Sequence, residues 1–435
     1  MSWLETKRPS STPMPSSGGS GPGPSPRGVP YQSTGRSLAE LAVIVAAVVV
    51  AAFATHTTDV LLVVVALVVM IMLHEFGHFV TAKLSHMKVT EFFLGFGPRL
   101  WSIRRGETEY GVKALPLGGY VKILGMSNLD EVDPADEPRT YREQPFHNRL
   151  MVALAGSTMH GVLAFVLIFT YFSLAGVPSS SVVQIQAIAP LAHGVDPARA
   201  AGIHAGDVVA SVDGKSVTSL NDLIADIEGR AGQKVSMVVR RDGVSRQLTV
   251  TPVPVKSGGK TVGRIGIEIA TGAVSVGPIR ALGHSGVALA DTVTASFGAL
   301  GQIFSAHGLS QYWHDLTNAK AAQASEHSTT RLQSIYGAGR TTVEAVEAGW
   351  GDFVAVFVSI NVFIGIVNLL PMLPLDGGHV AIAVYERIRS RRGRPYHADV
   401  RKMAPVAYAF IAFLGFIVVS ALYLDITHPL ANPFH

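Results

Sequence analysis

The sequence predicts a multi-span α-helical membrane protein of about five spans, with a β-hairpin on its cytoplasmic side and one inserted extracytoplasmic α+β domain. Three observations predict it. The 435 residues are 48% hydrophobic and 15% charged, the balance of several bilayer spans with some soluble mass. Apolar runs long enough to cross a hydrocarbon core of about 30 Å recur along the chain. Lys and Arg gather in alternate connecting segments, the asymmetry that orients spans. The net charge of +4 reads as that cytoplasmic bias and not as nucleic-acid binding. The chain has no cysteine. A disulfide scaffold and thiolate-ligated zinc are thereby excluded, and any metal must be held by His and carboxylate.

Residues 1–36 are rich in Pro, Ser and Gly, as in Ser16-Ser17-Gly18-Gly19-Ser20. They bury no core and are expected to form a disordered, basic cytoplasmic tail. No compact cleavage site follows a short apolar core, so a signal peptide is not expected. Residues 37–55 predict a first transmembrane helix, and Val60 to about Ala82 a second. The polar segment 83–149 carries Lys83, Lys88, Arg99, Arg104, Arg105 and Lys113 among its basic residues, whereas the loop 55–59 has none. That difference places 83–149 in the cytoplasm. Within it, the runs Tyr110–Leu115 and Gly119–Leu124 flank Pro116-Leu117-Gly118 and predict a β-hairpin, either a small cytoplasmic one or one that dips into the membrane and lines the site.

A third span is expected over about Leu150 to Ala175, with His160 inside it. A lone His on an apolar helix reads as hydrogen-bonded to a neighbour before it reads as a ligand. Strand-rich runs at Val182–Ile185, Val208–Val212, Val235–Arg240 and Arg246–Thr251, with a helix capped by Ser219, predict an α+β domain over 181–255. Residues 256–350 are expected to be extracytoplasmic amphipathic helices and linker. A fourth span covers about Phe353 to Leu370, a basic loop follows, and a fifth span covers about Ala404 to Leu424.

The chemistry centres on His74-Glu75-Phe76-Gly77-His78. On a helix, His74 and His78 share one face and can hold one zinc while Glu75 reaches a water. His74 lies about 14 residues into its run, roughly 21 Å at the helical rise, so the motif sits inside the membrane near the far face. Ionisable groups at such depth are costly and mark function. A third ligand should lie at equal depth. Asp376, at the cytoplasmic end of the fourth span, meets that requirement. Pro371 and Pro374 break the helix there, and Gly377 and Gly378 permit close backbone approach. Asn368, about one turn before Pro371, is a candidate for holding a substrate backbone or an oxyanion, and equally for a structural hydrogen bond.

These stretches resemble the site-2 proteases, intramembrane zinc metalloproteases, and in particular their bacterial, PDZ-containing, actinobacterial-like branch. His74 to His78 resembles the first zinc motif, and Asn368 to His379 the second. Phe92 to Pro98 and Gly111 to Tyr120 resemble the stretch leading to the membrane-dipping β-loop. Ala200 to Val209, with Val212-Asp213-Gly214, resembles protease-associated PDZ domains. The resemblance covers the chain from about residue 60 onward. It implies Zn2+ as cofactor, His74, His78 and Asp376 as its ligands, Glu75 as catalytic base, and Asn368 as a substrate contact. It implies a protease core split between 60–176 and 351–435, and a PDZ-like unit at 181–255.

The implied activity is cleavage within the transmembrane segment of a single-span protein already trimmed by a first protease, such as an anti-sigma factor. The implied location is the bacterial cell membrane, multi-pass, with the amino terminus cytoplasmic and the PDZ-like unit outside, where it either binds a newly made peptide C-terminus or acts as a steric gate. Three features depart from the family pattern, one being that a single PDZ-like unit is visible where some relatives carry two. Ala155-Gly156-Ser157-Thr158-Met159-His160 stands where many relatives have Ala-Gly-Pro-x-x-Asn, and the helix at 37–55 with its tail is an addition. A membrane-anchored PDZ scaffold without catalysis, or a metal transporter, are the competing readings. The complete zinc set and the intact Glu75 favour the protease.

Overall fold

The computed structural model describes residues 34–126, 131–191, 194, 196–257, 259–326, 328, 331–390 and 396–434. Most of the tail expected to be disordered, residues 1–33, lies outside the described residues, as does part of the basic loop at 391–395. Thr34 to Arg36 begin helix α1 (Thr34–Ala54), so the tail ends earlier than its composition suggested. After α1 come α2 (Thr58–Leu84), strands β1 (Val89–Arg105) and β2 (Thr108–Ile123), and α3 (Phe146–Ala175). A strand-rich unit follows: β3 (Val177–Ile188), short α4 (Pro197–Ala200), β4 (Val208–Val212), β5 (Lys215–Ser216), α5 (Leu220–Glu228), β6 (Val235–Arg241), β7 (Val244–Val250), β8 (Val253–Ser257), β9 (Lys260–Arg264) and β10 (Ile267–Val274). The chain closes with α6 (Pro278–Ile303), α7 (Ala306–Thr317), short α8 (Ala319–Ala324), α9 (Ile335–Ala348), α10 (Trp350–Val367), α11 (Asp376–Arg389) and α12 (Ala404–Thr427).

By length and composition α2, α3, α10 and α12 can each cross a membrane, and the protein is a multi-pass membrane protein. The apolar part of α1, Leu38–Ala54, is shorter than these. The bent pair α6 and α7, which meet at 65°, would form a further span if taken together. This pair departs from the expected amphipathic helices. Ala288, Leu289, Val293 and Leu300 of α6 pack against a cluster formed by Val63 and Met70 of α2, Ala164 and Ile168 of α3, and Phe353, Phe357 and Val358 of α10. Gly283, Gly286, Gly298 and Gly301, with several Ser and Thr, dilute the apolar character of α6 in sequence. A Cβ on any of these four glycines would meet nothing within 4 Å, whereas Ser285 and Ser296 are buried.

The two runs expected to pair as a hairpin do not pair with each other. Leu94 of β1 pairs with both Gly119 and Val112 of β2, so residues 91–94 lie between 119–122 and 109–112. The tight turn joining the strands is at Gly106 (φ 62°), not at Pro116-Leu117-Gly118. The reason is length: β1 begins at Val89 and supplies the partner that a local reading of 110–124 lacked. The outer edge of 119–122 has no strand partner among the described residues.

α3 ends at Gly176, whose φ of 92° turns the chain directly into β3. The sheet runs β10-β3-β4-β6-β7, with β5 on β4. It therefore extends past 255, through Val274, into a stretch expected to be helix and linker. The glycines around β9 and β10 made those strands read as linker. Val183, Ile185, Ile203, Val209, Leu223, Met237 and Val239 form its core. Asp207 is wholly buried. Arg241 Nε donates to its Oδ1 at 2.6 Å and Nη2 to its Oδ2 at 2.7 Å, and the His204 N–H donates to Oδ2 at 3.0 Å. Burial alone would raise the Asp207 carboxyl pKa, but the guanidinium and the His204 N–H outweigh it and hold the carboxyl below its ordinary value of 3.8.

A carboxyl whose pKa is depressed by folding contributes stability above its unfolded pKa and loses it as pH falls through the folded value. The sheet should therefore be most resistant to opening above about pH 4 and weaken below it. In Arg241→Ala, hydrogen exchange of strands β4 and β6 should be faster at neutral pH. Its dependence on acid should also be flatter, since the pair is already gone. Unchanged exchange in the variant would show that the ion pair does not hold the sheet.

Candidate metal centre

Helix α2 brings His74, Glu75 and His78 to one level, with both imidazoles buried against α3. Their Nε2 atoms are 3.2 Å apart. Asp376 Oδ2 lies 3.4 Å from His74 Nε2 and 3.2 Å from His78 Nε2. A tetrahedral zinc with ligand bonds of about 2.0–2.1 Å has ligand–ligand edges of about 3.3 Å. The three observed separations match one such face. His78 Nδ1 lies 2.7 Å from the Val152 carbonyl. A carbonyl only accepts, so Nδ1 carries the proton and Nε2 presents its lone pair to the shared point. Asp376 Oδ2 has no hydrogen-bond partner among the described residues, as expected of an atom kept for a cation. Among the described residues these three form a group able to hold a metal.

The approach of α3 depends on Gly156. A Cβ there would fall 2.3 Å from His74 Cε1 and 2.4 Å from His78 Nε2. Asp376 is placed by the turn that ends α10 and opens α11. Gly377 N–H donates to the Asn368 carbonyl at 2.7 Å, and a Cβ on Gly377 would meet the Leu369 carbonyl oxygen at 2.2 Å. Asn368 thus acts through its backbone in this turn, while its side chain makes no hydrogen bond among the described residues. A buried ion pair, Arg149 Nη2 to Glu386 Oε2 at 2.6 Å, ties α11 to α3. Glu75 is half-buried beside β2, where a Cβ on Gly119 would lie 3.3 Å from its Cγ.

His160 does not join the ligand group, but its ring centroid is 5.1 Å from that of His74. Asn361 Nδ2 donates to the His160 carbonyl at 2.7 Å, which turns Asn361 Oδ1 to face His160 Nδ1, also at 2.7 Å. His160 Nδ1 therefore carries the proton, and Nε2 is left as an acceptor. Sequence reading missed Asn361, Gly156 and Arg149–Glu386 as supports of the site. Asn361 and Arg149 each stand as an isolated polar residue in or beside an apolar run, which is the signal that was there to find.

A His-Glu-x-x-His helix meeting a distant aspartate within a bundle of membrane-length helices defines the class as membrane-embedded metallopeptidase. Comparison with known proteins agrees. The family model described as Peptidase family M50 matches residues 62–415. The chain is 35% identical over 408 residues to zinc metalloprotease Rip1 of Mycobacterium tuberculosis, covering 86% of this chain and 98% of that protein. It is 32% identical over 405 residues to Rip1 of Mycolicibacterium smegmatis, covering 84% and 96%. A putative zinc metalloprotease of Clostridium acetobutylicum is 28% identical over 362 residues, covering 83% and 95%. The chain belongs to peptidase family M50, the site-2 proteases, and is a zinc metalloendopeptidase.

Gly156→Ala places a methyl group against both imidazoles. Zinc retained by the purified variant should fall by about tenfold or more, with helix content by circular dichroism unchanged. Full zinc content in that variant would mean that α3 does not press on the imidazoles.

Proposed function

We propose that the enzyme hydrolyses a peptide bond inside the transmembrane segment of a single-span membrane protein, with His74, His78 and Asp376 holding the zinc. The observation that carries this reading is the convergence, at tetrahedral edge distances, of two imidazoles on the membrane-length helix α2 with the carboxylate that opens α11. Bound there, zinc polarises a carbonyl and lowers the pKa of a water. Glu75 accepts the proton of the attacking water and delivers it to the leaving amine. The unpaired edge of 119–122 runs beside Glu75 and suits an unwound substrate segment added as a further strand. The free Asn368 amide is the substrate contact, orienting the backbone of that segment or the developing oxyanion.

The domain reading fits this role. The sheet of β3, β4, β5, β6, β7 and β10, with α5 and the separate β8–β9 pair, is a PDZ-like unit, and a cavity of about 330 Å³ lined mostly by apolar side chains lies between α5 and the edge strand β10. An extended peptide C-terminus would add there as a strand. The basic segment 83–149 faces the cytoplasm, and the PDZ-like unit lies outside. The substrate is a protein pre-trimmed by a first protease, such as an anti-sigma factor, and the cut releases its cytoplasmic part.

The test is co-expression of a trimmed single-span substrate with wild type and with Glu75→Gln. The variant should keep its zinc while cleavage falls by on the order of 10²–10⁴. Equal cleavage by both proteins would end the proposal for Glu75. Cleavage confined to soluble loops would end it for the membrane substrate.

A further inference from the structure

A second group of buried charges, away from the metal centre, faces a cavity of about 230 Å³ behind α7. The cavity is lined by Gln302, His307, Gln311, Tyr312, Asp315 and Arg331, among others. α7 rests on the last helix, where Tyr312 Oη lies 2.7 Å from Ser420 Oγ. The Arg331 side chain is 1% exposed. Its Nη2 donates to Asp425 Oδ1 at 3.3 Å and to the His428 carbonyl at 2.7 Å. Its Nε and Nη1 have no hydrogen-bond partner among the described residues. Asp315 is also buried, and among the described residues no hydrogen bond or ion pair reaches its carboxylate.

A ligand that satisfies this floor must bring two things. It must accept hydrogen bonds from two N–H groups of Arg331, whose charge is already balanced by Asp425. It must also bring a cationic donor for Asp315. A phosphodiester carrying a primary amine does both. A purely anionic phosphate would face the Asp315 charge, and a quaternary ammonium has no N–H to give it.

The height of the cavity indicates where such a group comes from. Asp425 and His428 belong to the end of α12, where the span leaves the bilayer. Leu309 and Trp313, one turn apart on α7, are 41% and 59% exposed. An aromatic and apolar border at a span's end is characteristic of the headgroup level. We propose that this cavity binds the phosphoethanolamine headgroup of a membrane lipid, with the phosphodiester on Arg331 Nε and Nη1 and the ammonium on Asp315.

The experiment uses full-length protein in nanodiscs of phosphatidylcholine doped with either phosphatidylethanolamine or phosphatidylglycerol, and counts retained lipid by native mass spectrometry. Wild type should retain phosphatidylethanolamine in preference to both others. Asp315→Asn should lower that retention by about tenfold with peptidase activity unchanged. Arg331→Lys keeps a cation beside Asp425 but loses the planar fork, and should lower retention as well. Equal retention of all three lipids by wild type, or unchanged retention in Asp315→Asn, would overturn the proposal. Displacement of the lipid by equimolar soluble glycerophosphoethanolamine would assign the site to a free metabolite and overturn the lipid reading.

Discussion

Two imidazole nitrogens and a carboxylate oxygen facing one point, 3.2–3.4 Å apart, form the constraint on which the rest of the bundle depends. The groups are largely screened from solvent, the two imidazoles on α2 and the carboxylate at the start of α11. A proton on His78 Nε2 can be shared between Asp376 Oδ2 and His74 Nε2, each 3.2 Å away. A divalent cation at their common point would instead take a lone pair from each of the three atoms.

Such a point exists only because backbone elements approach more closely than ordinary side chains allow. Gly156 removes the atom that would fill it from α3, and Gly377 lets α11 begin against the end of α10. The carbonyl of Val152 fixes one imidazole. Arg149 and Glu386 fix the helix that bears the aspartate. Removing one partner of a buried ion pair leaves an unpaired charge and costs about 3–5 kcal/mol, so losing either residue alone would loosen α11 from α3. His160 and Asn361 add a second lock, between α3 and α10, directly behind His74. The centre is therefore held by three helices and a turn, none of which bears the whole set.

The sequence made local features legible and left distant pairings hidden. His74, Glu75 and His78 are readable because helical spacing alone brings them together. Asp376 is readable from its depth and from the prolines and glycines around it. The four long spans follow from uninterrupted apolar runs. The role of α6 does not, because its glycines, serines and threonines lower its apparent hydropathy. The pairing of 91–94 with two separate parts of β2 has no local signature, since strand register is set by partners elsewhere in the chain. The same holds for His160 and Asn361, which are 201 positions apart. The site-2 pattern places an Asn where this chain has His160, and the Asn361 amide now supplies the polar partner for that ring.

The candidate metal centre and the sheet unit are linked by α3, which leads into β3, and α6, which follows β10. The proposed function rests on one ion joining α2 to the start of α11. X-ray absorption of the zinc in full-length protein measures that junction directly. The account predicts a first shell of two imidazole nitrogens with oxygen donors only, and the loss of zinc or of one oxygen in Asp376→Ala. A shell with three or more imidazoles that is unchanged by Asp376→Ala would contradict it.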